Sequence, residues 1–138
     1  MLSDYSDMEQ EIKDTPQPKV LPRGTEVKFR IVMVNEGTSD KNGANWYMPI
    51  LDIPAEPAAV EFNTFFWDLA DLDKLDEKAA MRARRSFGEF ASCIGLDYSR
   101  PFSWTDDLPG MEGWAILGVK KDDEYGDKNT ISKFVVGK

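Results

Sequence analysis

"DKLDEKAAMRARRSFGEFASCIGL", residues 73–96, is the stretch of the chain that carries a helical period. From Leu75 onward, Ala80, Ala83, Phe87, Phe90, Ala91 and Ile94 recur at helical spacing, while Lys78, Arg82, Arg85 and Glu89 fall on the opposite side. Asp73 stands at an N-cap position, and Asp76 and Glu77 suit the first turn, where carboxylates meet unpaired N–H groups. Gly95 followed by Leu96 reads as a glycine C-cap with its apolar partner. The spacing predicts one helix over residues 74–94.

On both sides of it the period is two. "TEVKFRIVMVNEG" puts Val27, Phe29, Ile31 and Met33 on one face and Lys28, Arg30 and Val32 on the other. "GTSDKNGAN" is dense in turn formers and reads as a mobile loop. A second strand spans Trp46–Ile53; Pro49 has no N–H to give, so an edge or bulge is expected there. Val60–Leu69 is an aromatic-rich third strand, "MEGWAILGVK" the fourth and "NTISKFVVGK" the fifth, with "DYSRPFSWTDDLPG" as a long return loop. The order is β-β-β-α-β-β. It predicts a mainly β domain over residues 23–138, a five-stranded OB-fold-like barrel whose single helix lies between strands three and four. The competing architecture is an open sheet with one covering helix.

Residues 1–22 read as a flexible acidic arm, because "TPQPK" and its acids bury too little to offset ordering. A segment that docks on a partner is the other reading of it. A chain of 138 residues can bury a core without disulfides or a metal. The single cysteine, Cys93, reads as a small buried side chain and suits a reducing cytoplasm. With no signal-like start and no apolar run of spanning length, the expected setting is cytoplasmic, without a membrane.

The chain has no histidine, which removes Ser-His and Cys-His nucleophile pairs and histidine zinc sites. "SDKNGAN" and "KDDEYGDKN" do not fit a calcium loop, Asp106–Asp107 lacks an opposing carboxylate motif, and no Gly-rich phosphate loop is present. The reading is non-catalytic, with neither cofactor nor metal. The net charge of −8, from 25 acids and 17 bases, means that any phosphate-binding surface must be a local basic stripe.

"GVKKDDEYGDKNTISKFV", residues 118–135, has the outline of a hairpin with a charged tip bearing Lys120, Lys121, Tyr125 and Lys128. In the OB scheme the four–five tip and the one–two loop, with Lys41, flank the face of strands two and three. That face offers Trp46 and Tyr47, one of each sense, and Phe65 and Trp67; Lys28 and Arg30 stand on strand one. Cations beside rings are what a single strand needs, for phosphates and for bases. Against this, Trp114, Phe62 and Phe66 are expected in the core, and Tyr47 with one of Phe65 and Trp67 outside it. The tip also reads as a solvated turn with four acids, and the bases Lys78, Arg82, Arg84 and Arg85 as a helix face paired with Asp76, Glu77 or Glu89.

The end of the chain resembles the last two strands of bacteriophage single-stranded DNA-binding proteins. Gly113 leads a strand, Tyr125 and Gly126 sit at a tip, and Asn129, Ile131 and Phe134 follow. The resemblance covers roughly the last 25 residues. It implies an OB fold that coats single-stranded DNA during phage replication or recombination in a bacterial host cell. It also implies partners among phage or host replication and recombination proteins, with homo-oligomers left open. The acids lie at the front of this chain rather than in a tail. The expected contacts are Lys28, Arg30, Lys41, Trp46, Tyr47, Phe65, Trp67, Lys120, Lys121, Tyr125 and Lys128. The alternative drawn from the net charge is an acidic protein-interaction module that binds or inhibits a host nucleic-acid-binding protein.

Overall fold

Alternation decides the architecture, and a computed structural model describes all residues, 1–138. Six strands form one antiparallel sheet: β1 (Glu26–Thr38), β2 (Asn45–Asp52), β3 (Phe62–Asn63), β4 (Phe66–Trp67), β5 (Glu112–Lys120) and β6 (Lys128–Val135). Their order is β3-β2-β1-β5-β6, with β4 also on β2. The helices are α1 (Glu9–Asp14), α2 (Glu77–Ile94) and the short α3 (Trp104–Asp107), with 3-10 turns at Ser6–Met8 and Leu69–Lys74. The sheet is not closed by pairing: β3 and β6 approach each other without a ladder between them. The last strand pairs with β5, and β5 with β1.

The expected third strand is two short ones. β3 and β4 keep a single register on β2 (Ile50 opposite Asn63, Trp46 opposite Trp67), and the break between them faces Met48 and Pro49. Pro49 has no N–H to donate, so only the bond from Thr64 N to Pro49 O, 3.2 Å, crosses there. The irregularity expected at Pro49 thus appears in its neighbour. A second one lies in β1: Ile31 pairs with Leu51 and Met33 with Ile50, so Val32 is the extra residue of a bulge. Beyond it the faces exchange. Val34 is buried and Met33 is exposed, not inward as the plain alternation had it.

The core collects Phe29, Ile31, Leu51, Phe62, Phe66, Phe87, Phe90, Leu108, Leu117 and Phe134. Phe134 of β6 touches Phe29, Phe66 and Phe90, with ring centroids 6.1, 6.4 and 5.4 Å away. The inner face of the curled sheet is therefore filled from both edges and from α2. The helix starts later than its spacing suggested. Asp68 caps the 3-10 turn by accepting from Ala70 N, Asp73 lies within that turn, and Asp76 caps α2 by accepting from Ala79 N at 2.8 Å. Gly95 ends α2 at φ +72°, with Leu96 N bonded to Ala91 O. The return loop is not passive: it supplies Leu108, fully buried, and Trp104, stacked on Tyr47 at 4.6 Å.

No side chain of residues 1–19 is buried, and α1 is exposed throughout. The end of the arm is different. Lys19 N donates to Ala58 O and Val60 N to Lys19 O, a parallel bridge to the segment before β3. Leu21 is buried and bonded to Asn129 of β6. Residues 19–21 thus form a strap across the gap between the two sheet edges. No helix is long and apolar enough to cross a membrane.

Candidate nucleic-acid interface

On β2, side chains alternate from Trp46 outward to Tyr47 inward. Trp46 pairs with Gly37 of β1 on one side and with Trp67 of β4 on the other. Its indole lies flat over Gly37, where a Cβ would come within 2.4 Å of the ring. Phe65, 45% exposed, sits between the two tryptophans: 5.8 Å from Trp46 and 4.9 Å, edge-on, from Trp67. These three rings form a platform on the outer face of the sheet. Below it along the same face run Met48, Ile50 and Met33. Tyr47 is not outward as expected. It packs on Trp104 and the core, and burial, with Asp68 and Glu36 nearby, raises its hydroxyl pKa.

The loop after β1 lies at the platform end and is held there by hydrogen bonds. Ser39 N bonds Ala44 O, Ala44 is fully buried, and Lys74 Nζ donates to Gly43 O at 3.2 Å. Asp71 accepts from Asn45 N at 2.8 Å, which, ahead of the Lys74 charge, lowers its carboxyl pKa. Lys41 is the free cation of this loop, exposed at its tip.

The strand-one cations are already engaged. Arg30 bonds Asp52 at 2.7 Å, which raises its pKa, and Lys28 faces Glu112 at 3.9 Å. Trp114, expected in the core, is on this outer face beside Lys28, with Lys138 Nζ 4.5 Å from its ring centroid.

The β5–β6 tip is ordered by one carboxylate. Asp122 Oδ1 accepts from Glu124 N and Tyr125 N, at 2.9 and 3.0 Å, and those two bonds hold its pKa down. Lys120 stands directly opposite Lys128, Lys121 pairs with Asp127 at 3.6 Å, and Tyr125 is 74% exposed. The tip extends past the start of β1, where Gly24 N bonds Leu117 O, whereas the platform lies at Gly37. Roughly 35 Å of strand contour separates those ends. The structure brings Trp46, Phe65, Trp67 and Lys41 to one end, and Lys120, Lys121, Tyr125 and Lys128 to the other.

The cations of α2 were expected to be paired along the helix. None of Lys78, Arg82, Arg84 and Arg85 takes part in any of the protein's eight ion pairs. Arg82 lines a groove of about 220 Å³ together with Phe65, Trp67 and Ser86. No protein-family profile matches the chain, and no curated protein matches it significantly in sequence.

Proposed function

We propose that the sheet is a half-open OB-type barrel and that the protein binds single-stranded DNA, with little sequence preference, through the platform of Trp46, Phe65 and Trp67. The observation that carries this is the position of those rings. Three large aromatics lie outside a core that is filled without them, in contact with one another and partly open to solvent. Aromatic faces stack on any base, and each stacked base is worth about 1–3 kcal/mol. Gly37 keeps the Trp46 indole flat, as a stacking surface requires. The strand order, with β1 between β2 and β5, supports the barrel type. The resemblance of residues 113–134 to phage single-stranded DNA-binding proteins supports the ligand and a place in phage replication or recombination.

A second reading has its own support. Lys28, Arg30 and Lys121 each face an acid, and Met33, Met48 and Ile50 continue the platform as an apolar stripe. Such a face suits a protein partner. One titration separates the two: anisotropy of labelled oligo-dT, with a duplex control and tryptophan emission read in parallel. Binding of oligo-dT with quenched tryptophan supports the first reading. No binding at low salt overturns it and leaves the protein-interaction module.

A further inference from the structure

The platform explains bases but not phosphates: of the charges expected to meet them, Lys28, Arg30 and Lys121 face acids, Lys120 and Lys128 lie at the distant tip, and Lys41 alone stands free at the platform end. We infer that Lys78, Arg82 and Arg85 of α2 form the phosphate track of the strand whose bases lie on Trp46, Phe65 and Trp67, an inference that rests on the reading above.

Availability is the first ground. Arg30 and Lys28 each face a carboxylate, and so does Lys121 at the distant tip. The α2 cations are exposed and form no ion pair, although Glu77 and Glu89 lie on the same helix. A fixed acid partner would have to be displaced before a phosphate could bind; here none is.

Position is the second. Arg82 shares one groove with Phe65, Phe66 and Trp67, whose floor on the helix side is Ala79, Ala83 and Ser86. The two alanines are small, so the helix leaves a channel between a guanidinium and the platform's edge. A strand with its bases on the rings has its backbone at that edge.

Spacing is the third. Lys78, Arg82 and Arg85 follow one another at four and three residues, so they share a face opposite the buried Ala80, Phe87, Ala91 and Ile94. At 1.5 Å per residue the row extends roughly 10 Å along the helix, which suits roughly two to three phosphates. Arg84 falls outside this row, on the side of the helix away from the groove, and serves as a charge-matched control.

The test uses the full chain and labelled oligo-dT over a range of potassium chloride concentrations. The Lys78→Ala/Arg82→Ala/Arg85→Ala variant should lose about 2 units of log–log salt slope, at about 0.7 per phosphate contact. Arg84→Ala should keep the parental slope. Circular dichroism melts check folding, and Arg82→Gln alone, with an expected loss of about 0.7, covers the case of a triple variant that does not fold. If the row variants keep the parental slope while Phe65→Ala weakens binding, the track lies elsewhere and this inference falls while the platform reading stands. An equal loss of slope in Arg84→Ala would also overturn it, because general charge rather than the row would then be acting. If the parent does not bind oligo-dT at low salt, both fall together.

Discussion

Asn129 holds Leu21 by both of its backbone polar groups: Oδ1 accepts from Leu21 N at 2.9 Å, and Nδ2 donates to Leu21 O at 2.9 Å. Nδ2 also reaches Gly118 O at 3.1 Å, and Asn129 is the one polar residue in the buried set. The side chain replaces the ladder that β3 and β6 do not form, and so fixes the strap. Asn129→Ala leaves two buried backbone groups of Leu21 without partners. The expected loss is about 2–3 kcal/mol, seen as a fall of roughly 6–12 °C in the thermal midpoint. A midpoint within about 2 °C of the parent would mean that the strap contributes nothing.

The arm divides at the strap. Deleting residues 1–15 removes no buried side chain, so the midpoint should stay within about 2 °C. Extending the deletion through Leu21 removes the Lys19 bridge and the Asn129 bonds and should cost as much as Asn129→Ala or more. Paired melting curves decide it, and equal midpoints for both deletions would contradict the assignment.

Gly37 is needed by Trp46, not by the backbone. A Cβ at Gly37 meets Trp46 Cζ2 at 2.4 Å, so Gly37→Ala must lift or turn the indole. The expected outcome is a shifted tryptophan emission and oligo-dT binding weakened by roughly 1–3 kcal/mol, the range for one stacked base. Gly113→Ala should differ in kind. Its Cβ would lie 2.7 Å from Cys93 Sγ and 2.9 Å from Phe29 Cζ, inside the core, so stability falls by about 1–3 kcal/mol.

The tip lies far from the platform along β1, and Lys121 already has Asp127. Replacing Lys120 and Lys121 by Ala should therefore leave the salt slope within about 0.3 of the parent, less than half of one phosphate contact. Tyr125→Ala should leave affinity unchanged. A slope lowered by about 1.4 in the lysine variant would return the tip to the binding site.

Asp71 makes stability depend on pH in a definite direction. Its folded pKa lies below the ordinary 3.8, because the carboxylate accepts from Asn45 N and faces Lys74. In that window the unfolded chain binds more protons than the native one, so this contribution is present above pH 3.8 and is lost as pH falls through the lower, folded value. Urea midpoints for the parent and Asp71→Asn should differ at pH 7 and converge in acid; a gap that persists undiminished at low pH would assign the effect to geometry rather than charge.

What was legible followed from local physics. The helical period, the Gly95 cap and the missing N–H of Pro49 each act on their immediate neighbours: the helix ends at Ile94 as expected though it begins only at Glu77, and the irregularity caused by Pro49 falls in the strand beside it. The inversion of Tyr47 has a different origin. Alternation gives relative faces only, and which of Trp46 and Tyr47 points inward is set by Trp104, which arrives from a loop with no periodicity. "IVMV" likewise hides its bulge, since any residue of a continuous apolar run can be the extra one. The free cations of α2 could have been suspected: Arg85 precedes Glu89 by one turn, the weaker order for a helical pair. Asn129 opens the expected fifth strand, and a lone amide at the head of an apolar alternation is the sequence's sign of a buried hydrogen-bonding role.

The strap also has a consequence in time. Leu21 and Asn129 are 108 residues apart in sequence. At ribosomal speeds of about 5–20 residues per second, Leu21 is made roughly 5–20 s before its partner. Throughout that interval the strap has nothing on β6 to hold, and β5 too is missing for most of it, so the sheet cannot seal its core until the end of synthesis. Contacts of such long separation slow folding even after the chain is complete. Nascent chains halted before β6 should therefore remain sensitive to protease, and protection should come in a single late step rather than strand by strand.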